Sequence, residues 1–203
     1  MKNKNSICTL HFIIAALSIT NIQLTIAGTP MEPPTIHGGT GAEIFIFKLP
    51  QGWVTKKTND NECFEIYENI KIRPKEAEIF LCLKKGNTLS VAESHGFFKI
   101  DGQWIKSGSM DTGMASIHET ETQMTISGEA SCGIFDSAGF HAAGGICRSV
   151  IVLGQTYGVT VDMVVNEFGK PVAKRKNEAL QKIVDSIRLS NPGSRKAIKE
   201  SLR

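Results

Sequence analysis

Four cysteines, at positions 63, 82, 132 and 147, restrict what this chain can fold into more than any other feature. Whether they bridge depends on the compartment, and the N-terminus bears on that. MKNKNSICTLHFIIAALSITNIQLTIAG opens with Lys2 and Lys4, runs through an apolar core at 10–19 and closes on Thr25, Ile26 and Ala27. A basic start, a short apolar stretch and small closing residues are what a signal peptidase reads, so residues 1–27 are expected to be a leader cut after Ala27. The run is short for a membrane anchor, because Thr20, Asn21 and Gln23 interrupt it before the ~20 apolar residues that span a bilayer. The expected location is periplasmic or secreted. Cys8 would leave with the leader.

In an oxidising compartment the other four cysteines form a disulfide framework with three possible pairings. Sequence neighbours are the favoured partners, Cys63–Cys82 and Cys132–Cys147, each closing a loop worth ~3 kcal/mol on chain-entropy grounds. Structural zinc usually draws on close C-x-x-C pairs, and the sequence has none, so neither a metal nor a cofactor is expected.

Without the leader about 175 residues remain, enough for one domain with its own core. The formal charge of +3 loses Lys2 and Lys4 and falls to +1 (3 − 2). That balance argues against nucleic acid as a partner, where a basic face supplies most of the affinity. No second apolar span follows.

Residues 28–42, rich in Pro, Gly and Thr, read as a flexible lead-in, with His37 solvated within it. Order is expected over 43–190. EIFIFKLPQGWV gives a β-rich run, a turn at 50–52 and a second extended piece from Trp53. ECFEIYENI and AEIFLCLK alternate with a period of two; paired strands there would set Cys63 across from Cys82. KKGNT reads as a turn, and FFKIDGQWI as a hairpin bent at Asp101-Gly102. Residues 107–113 read as a surface loop. SIHETETQMTISGEASC reads as one solvent-facing strand, and ICRSVIVLG with YGVTVDMVV as a central hairpin. Trp53 and Trp104 read as core or sheet-edge packing.

KPVAKRKNEALQKIVDSIRLSN places Val172, Leu180, Ile183, Val184 and Ile187 at helical spacings, with Lys174, Arg175, Lys176 and Lys182 outside. Its basic face over 170–182 reads as solvated, and also offers a peripheral contact to anionic headgroups. Residues 191–203 read as a basic tail, frayed helix or disordered. The expected class is α+β: an antiparallel sheet with a C-terminal amphipathic helix packed on one face and two disulfides.

LPQGW, followed downstream by VVNEF and ALQKIVDSIRL, resembles the PsbP-like fold family over 44–53 and 164–189. That resemblance implies an antiparallel sheet flanked by helices. It implies no catalytic set, because the fold hosts binding and assembly roles, among them accessory subunits of membrane complexes. A small exported chain with paired cysteines also resembles, in kind, the periplasmic immunity proteins of bacterial toxin systems, which bind an effector and block it.

The distinctive segment is CGIFDSAGFHAAGGIC, from Cys132 to Cys147. As plain structure its glycines serve turns, Asp136 bonds a nearby backbone amide and His141 meets a carbonyl. As an interface, a disulfide-closed loop carrying Phe135, Asp136, Phe140 and His141 is preorganised, which lowers the ordering cost of docking to a protein partner such as a secreted toxin. As an enzyme, Asp136 and His141 with His118 would form a hydrolytic or metal-dependent centre, with Asp111 and Glu119 as further carboxylates and Ser131 or Ser137 as nucleophile. Against catalysis, no G-x-S-x-G turn exposes a serine, no H-E-x-x-H holds a metal, and two bridges leave no free thiol. The expected function is non-catalytic recognition, most sharply inhibition of a secreted effector.

Overall fold

The computed structural model describes residues 32–58, 62–69, 78–136, 139–167 and 169–203, with backbone alone over 133–136 and 139–144. The leader expected over 1–27 lies outside the described residues. From Pro33 to Arg203 the chain forms one compact unit, whose described residues are mostly antiparallel strands with three short helices and two disulfides.

Two sheets replace the single one expected. The smaller joins β1 (Thr35–Thr40), β2 (Glu43–Lys48) and β13 (Arg188–Leu189) in the order β1-β2-β13. The larger comprises β3 (Trp53–Lys57), β4 (Cys63–Glu68), β5 (Ile79–Lys85), β6 (Phe97–Ile100), β7 (Gln103–Ser107), β8 (Thr112–Glu119), β9 (Met124–Asp136), β10 (Gly139–Leu153), β11 (Tyr157–Glu167) and β12 (Lys170–Pro171). Its order is β3-β4-β5-β11-β10-β9-β8-β7-β6, with β12 pairing β11. The helices are α1 (Thr88–Ser94), α2 (Lys174–Ser186) and α3 (Arg195–Ser201).

Period-two patterning explains the strands. In β5, Ile79, Leu81 and Leu83 are buried while Phe80 faces out. In β2, Phe45 and Phe47 point inward and stack near Phe64. β11 is the exception, buried over Tyr157, Gly158, Val159, Thr160 and Val161 alike, as suits a strand with neighbours on both edges and cover on both faces. β10 divides its side chains between two cores. Val150 and Val152 join Ile66, Leu81, Val161 and the α2 residues Leu180, Ile183 and Val184. Ile151 and Leu153 join Val91, Phe97, Trp104, Ile126 and the C-terminal Ile198 and Leu202. Successive residues on a strand point to opposite faces, so one core lies on each side of the sheet. Trp53 and Trp104 are both buried.

Several expectations change. Within the supposed lead-in, Thr35–Thr40 is strand β1. Its glycines are there for clearance, since a Cβ at Gly38 would strike the Phe45 and Phe64 rings. The supposed tail contains α3; its Ile198 and the C-cap residue Leu202, four residues apart, are buried. SIHETETQMTISGEASC is two strands, because Thr120 and Gln123 close a turn with the Thr120 N–H donating to the Gln123 carbonyl at 2.9 Å. Helix α1 was not foreseen; Asn87 caps it, its side chain accepting from the Ser90 N–H at 2.9 Å. The hairpin at Asp101-Gly102 stands as read: Ile100 pairs Gln103, and both turn residues take positive φ, 49° and 80°.

Candidate functional site

Between Cys132 and Cys147, residues 133–136 and 139–142 are paired strand, where the sequence suggested a loop. β9 and β10 form one long hairpin that continues past the cysteines, with Ala142 opposite Gly133, His141 opposite Ile134, Phe140 opposite Phe135 and Gly139 opposite Asp136. The ladder breaks once, between the Ala142–Gly133 and Ile146–Ser131 pairs, where β10 carries two more residues than β9. That bulge falls on 143–145, and glycine suits it: a Cβ at Gly145 would meet the Asn166 carbonyl. The Cys132–Cys147 disulfide spans the hairpin beside the break, with the Cα atoms 5.0 Å apart. The side chains of Phe135, Asp136, Phe140 and His141 lie outside the described residues; their backbone places them on the hairpin beyond the disulfide.

The hairpin base is laced to the turn before β8. The Ser109 hydroxyl donates to the Cys132 carbonyl at 2.6 Å, and the Met110 N–H donates to Ser131 Oγ at 2.8 Å. The Ser131 N–H donates to Asp111 Oδ1 at 2.7 Å. That backbone donor first, and the Ser131 hydroxyl second, hold the Asp111 carboxyl below the usual aspartate range. Beside the disulfide, Met110, Ile146, Cys132, Gly145 and Asn166 line a shallow recess of about 370 Å³. Met110 at its rim is 80% exposed.

His118 does not join Asp136 and His141. It sits on β8 opposite Thr125 of β9, and Asp136 lies eleven residues further along that strand, about 36 Å of extended chain. His118 instead lines a trough with Ser116, Thr125, Ser127, Glu129, Arg148 and the α2 residue Gln181. Glu119 is engaged elsewhere, paired with Lys199 at 2.6 Å. Among the described residues no group of three His, Cys, Asp or Glu side chains is placed to hold a metal ion.

Sequence reading missed one polar network. Asp162 of β11 accepts from the Ser149 hydroxyl at 2.6 Å and lies 2.9 Å from His95 Nε2, at the C-terminus of α1. Burial pushes the Lys106 amine down, opposed by the Asp162 charge. The available signal was an aspartate within the apolar strand YGVTVDMVV. Asp162 bonds both partners itself, so Ser149 has no histidine base and the trio lacks a nucleophilic relay.

The basic face of α2 is partly neutralised. Arg175 bonds Glu68 through two nitrogens, at 2.8 and 3.0 Å, and Lys176 pairs with Glu78 at 3.0 Å. No helix among the described residues is long and apolar enough to cross a membrane. The two disulfides fit an extracellular or otherwise oxidising compartment.

No protein-family model matches the chain, and no curated protein does. Among solved structures it is similar to a protein of Bacteroides thetaiotaomicron VPI-5482, at 11% identity and a TM-score of 0.37, over 78% of this chain and 49% of that one. The chain therefore spans about half the length of that structure. It is also similar to cyanobacterial PsbP (CyanoP) of Synechocystis sp. PCC 6803, at 9% identity and a TM-score of 0.38, over 82% of this chain and 98% of that one. At TM-scores this low neither likeness carries an argument about function, and neither bears on the resemblance to immunity proteins.

Proposed function

We propose that this is an exported, periplasmic, non-catalytic binding protein whose β9–β10 hairpin docks a protein partner. Its sharpest form is an immunity or inhibitor role, in which the hairpin occludes the cleft of a secreted toxic effector. The observation that carries the reading is the continuation of β9 and β10 as paired strands beyond a disulfide and a bulge. A hairpin closed at its base and bonded to the β7–β8 turn has little conformational freedom left to lose on binding. The register sets Phe135 opposite Phe140, an aromatic pair of the kind that anchors interfaces. Inhibition then needs only complementarity and exclusion of substrate, with no chemistry from this chain.

The test begins with capture of the partner from periplasmic extract by the disulfide-intact chain, followed by titration of the purified pair. Phe140→Ala combined with His141→Ala should lower affinity about 100-fold, as loss of a central anchor does, with an unchanged melting temperature. In the inhibitor form, the native chain also protects cells that express the partner, and the double variant does not. Unchanged affinity in the double variant removes the hairpin from the interface.

A further inference from the structure

A second site lies on the sheet itself, away from the hairpin beyond the disulfide. Along the α2 side of β8, β9 and β10, short hydroxyl side chains stand where the rest of that face carries large apolar ones. Ser116 pairs Ser127, which pairs Val150; His118 pairs Thr125, which pairs Val152. Because these side chains are short, a trough of about 630 Å³ opens beside Gln181 and Val184 of α2. One end is closed by the Glu129–Arg148 ion pair, with Arg148 Nε donating to Glu129 Oε1 at 2.7 Å, beside an exposed Met114. His118 stands at the other end, its ring without a hydrogen-bond partner among the described residues. From Glu129 to Thr125 is four residues of β9, about 13 Å.

We propose that this trough binds a short, neutral, polyhydroxylated ligand, an oligosaccharide. Three features select that chemistry. Serine, threonine, histidine and glutamine each donate and accept, which matches hydroxyls that do the same. The two full charges neutralise one another, so the trough has no pull toward an ion, while their planar groups keep further sites for hydroxyl contacts. Met114, which is exposed, supplies apolar surface for the C–H face of a sugar ring, above a floor that includes the buried Val150 and Val184. An extended peptide fits less well. Within the trough β10, and β9 over 124–128, are paired on both edges and offer an added strand no free backbone groups. β8 pairs β7 only over 112–114, and its outer edge over 116–119 is what the peptide counter-screen probes.

The site is independent of the hairpin reading, and its test keeps the two apart. The full chain with both disulfides formed is screened against arrays of neutral and anionic di- to tetrasaccharides, with extended tetrapeptides as a counter-screen, and hits are titrated by calorimetry. Saturable binding of a neutral oligosaccharide is expected. Ser116→Phe, on an exposed strand position that tolerates aromatics, fills the trough and should abolish it. His118→Ala, at the rim, should weaken binding about ten-fold, the loss of one good hydrogen bond, with the melting temperature unchanged. The Phe140→Ala, His141→Ala variant should bind sugar like the native chain. No binding of any neutral oligosaccharide, a preference for peptides or anionic glycans, or binding that survives both trough variants overturns the proposal.

Discussion

The two disulfides close loops of similar length, with sequence separations of 19 and 15, yet they sit in very different surroundings. Cys63 and Cys82 occupy directly paired positions of β4 and β5, at the end of an unbroken ladder. Cys132 and Cys147 flank the point where the β9–β10 ladder loses register. Chain entropy values the two bridges about equally, at ~3 kcal/mol each, because that term counts only loop length. Native context separates them. The first bridge reinforces a pairing that Phe64–Leu81 and Ile66–Ile79 already hold through the core. The second holds together a hairpin whose hydrogen bonding lapses just beyond it. One bridge serves stability, while the other, on the proposed reading, also fixes the direction of the hairpin beyond it.

That contrast can be broken most decisively by removing each bridge in turn. Replacing both Cys132 and Cys147 with serine should cost about 3 kcal/mol in denaturant unfolding. It should also reduce partner affinity about 100-fold, since the unstapled hairpin must be ordered on binding. Replacing Cys63 and Cys82 should cost a similar ~3 kcal/mol while leaving affinity unchanged. Equal losses of affinity in both variants would reduce the second bridge to a general staple.

A smaller effect sharpens the account of the hairpin base. Ser131→Ala removes the acceptor of the Met110 N–H and should cost about 1 kcal/mol. Amide exchange should quicken first at Met110 and at the hairpin residues next to the bridge. The corresponding change at Thr55, whose hydroxyl donates to the Glu65 carbonyl beside the first bridge, should leave hairpin exchange untouched.

The smallest effect is a pH response at the base. Asp111 has a carboxyl pKa lowered by the Ser131 N–H and hydroxyl. A group depressed in the folded state contributes stability that is present above its unfolded pKa and lost as pH falls through the folded one. Exchange protection of the Ser131 amide should therefore be full at neutral pH and fall away below the ordinary aspartate range. Asp111→Asn should flatten that profile. The Cys63–Cys82 region should show no matching step.

Much of the frame was legible because burial writes itself into sequence with a period of two. Cys63 opposite Cys82, the Asp101-Gly102 turn and the β10–β11 hairpin all follow from alternation interrupted by turn residues. What escaped has a physical reason in each case. β1 looked like a linker because Gly38 gives up its side chain to the Phe45 ring, leaving no apolar pattern to read. The hairpin beyond Cys132 looked like a loop for a related reason: Gly133, Gly139, Gly144 and Gly145 mimic turn composition inside paired strands. α3 buries only Ile198, with Leu202 at its C-cap, and the basic composition around them hid both. The trough was invisible because it is made by what β8 and β9 lack, side-chain volume, and by the placement of α2 far along the chain.

The central claim is that the hairpin beyond the Cys132–Cys147 bridge is the surface that meets the partner. Hydrogen exchange of the free chain and of its complex measures this directly. The account predicts new protection concentrated in amides of 133–142, with the β4–β5 region unchanged. Protection confined to other surfaces, with hairpin exchange the same in both states, would contradict it.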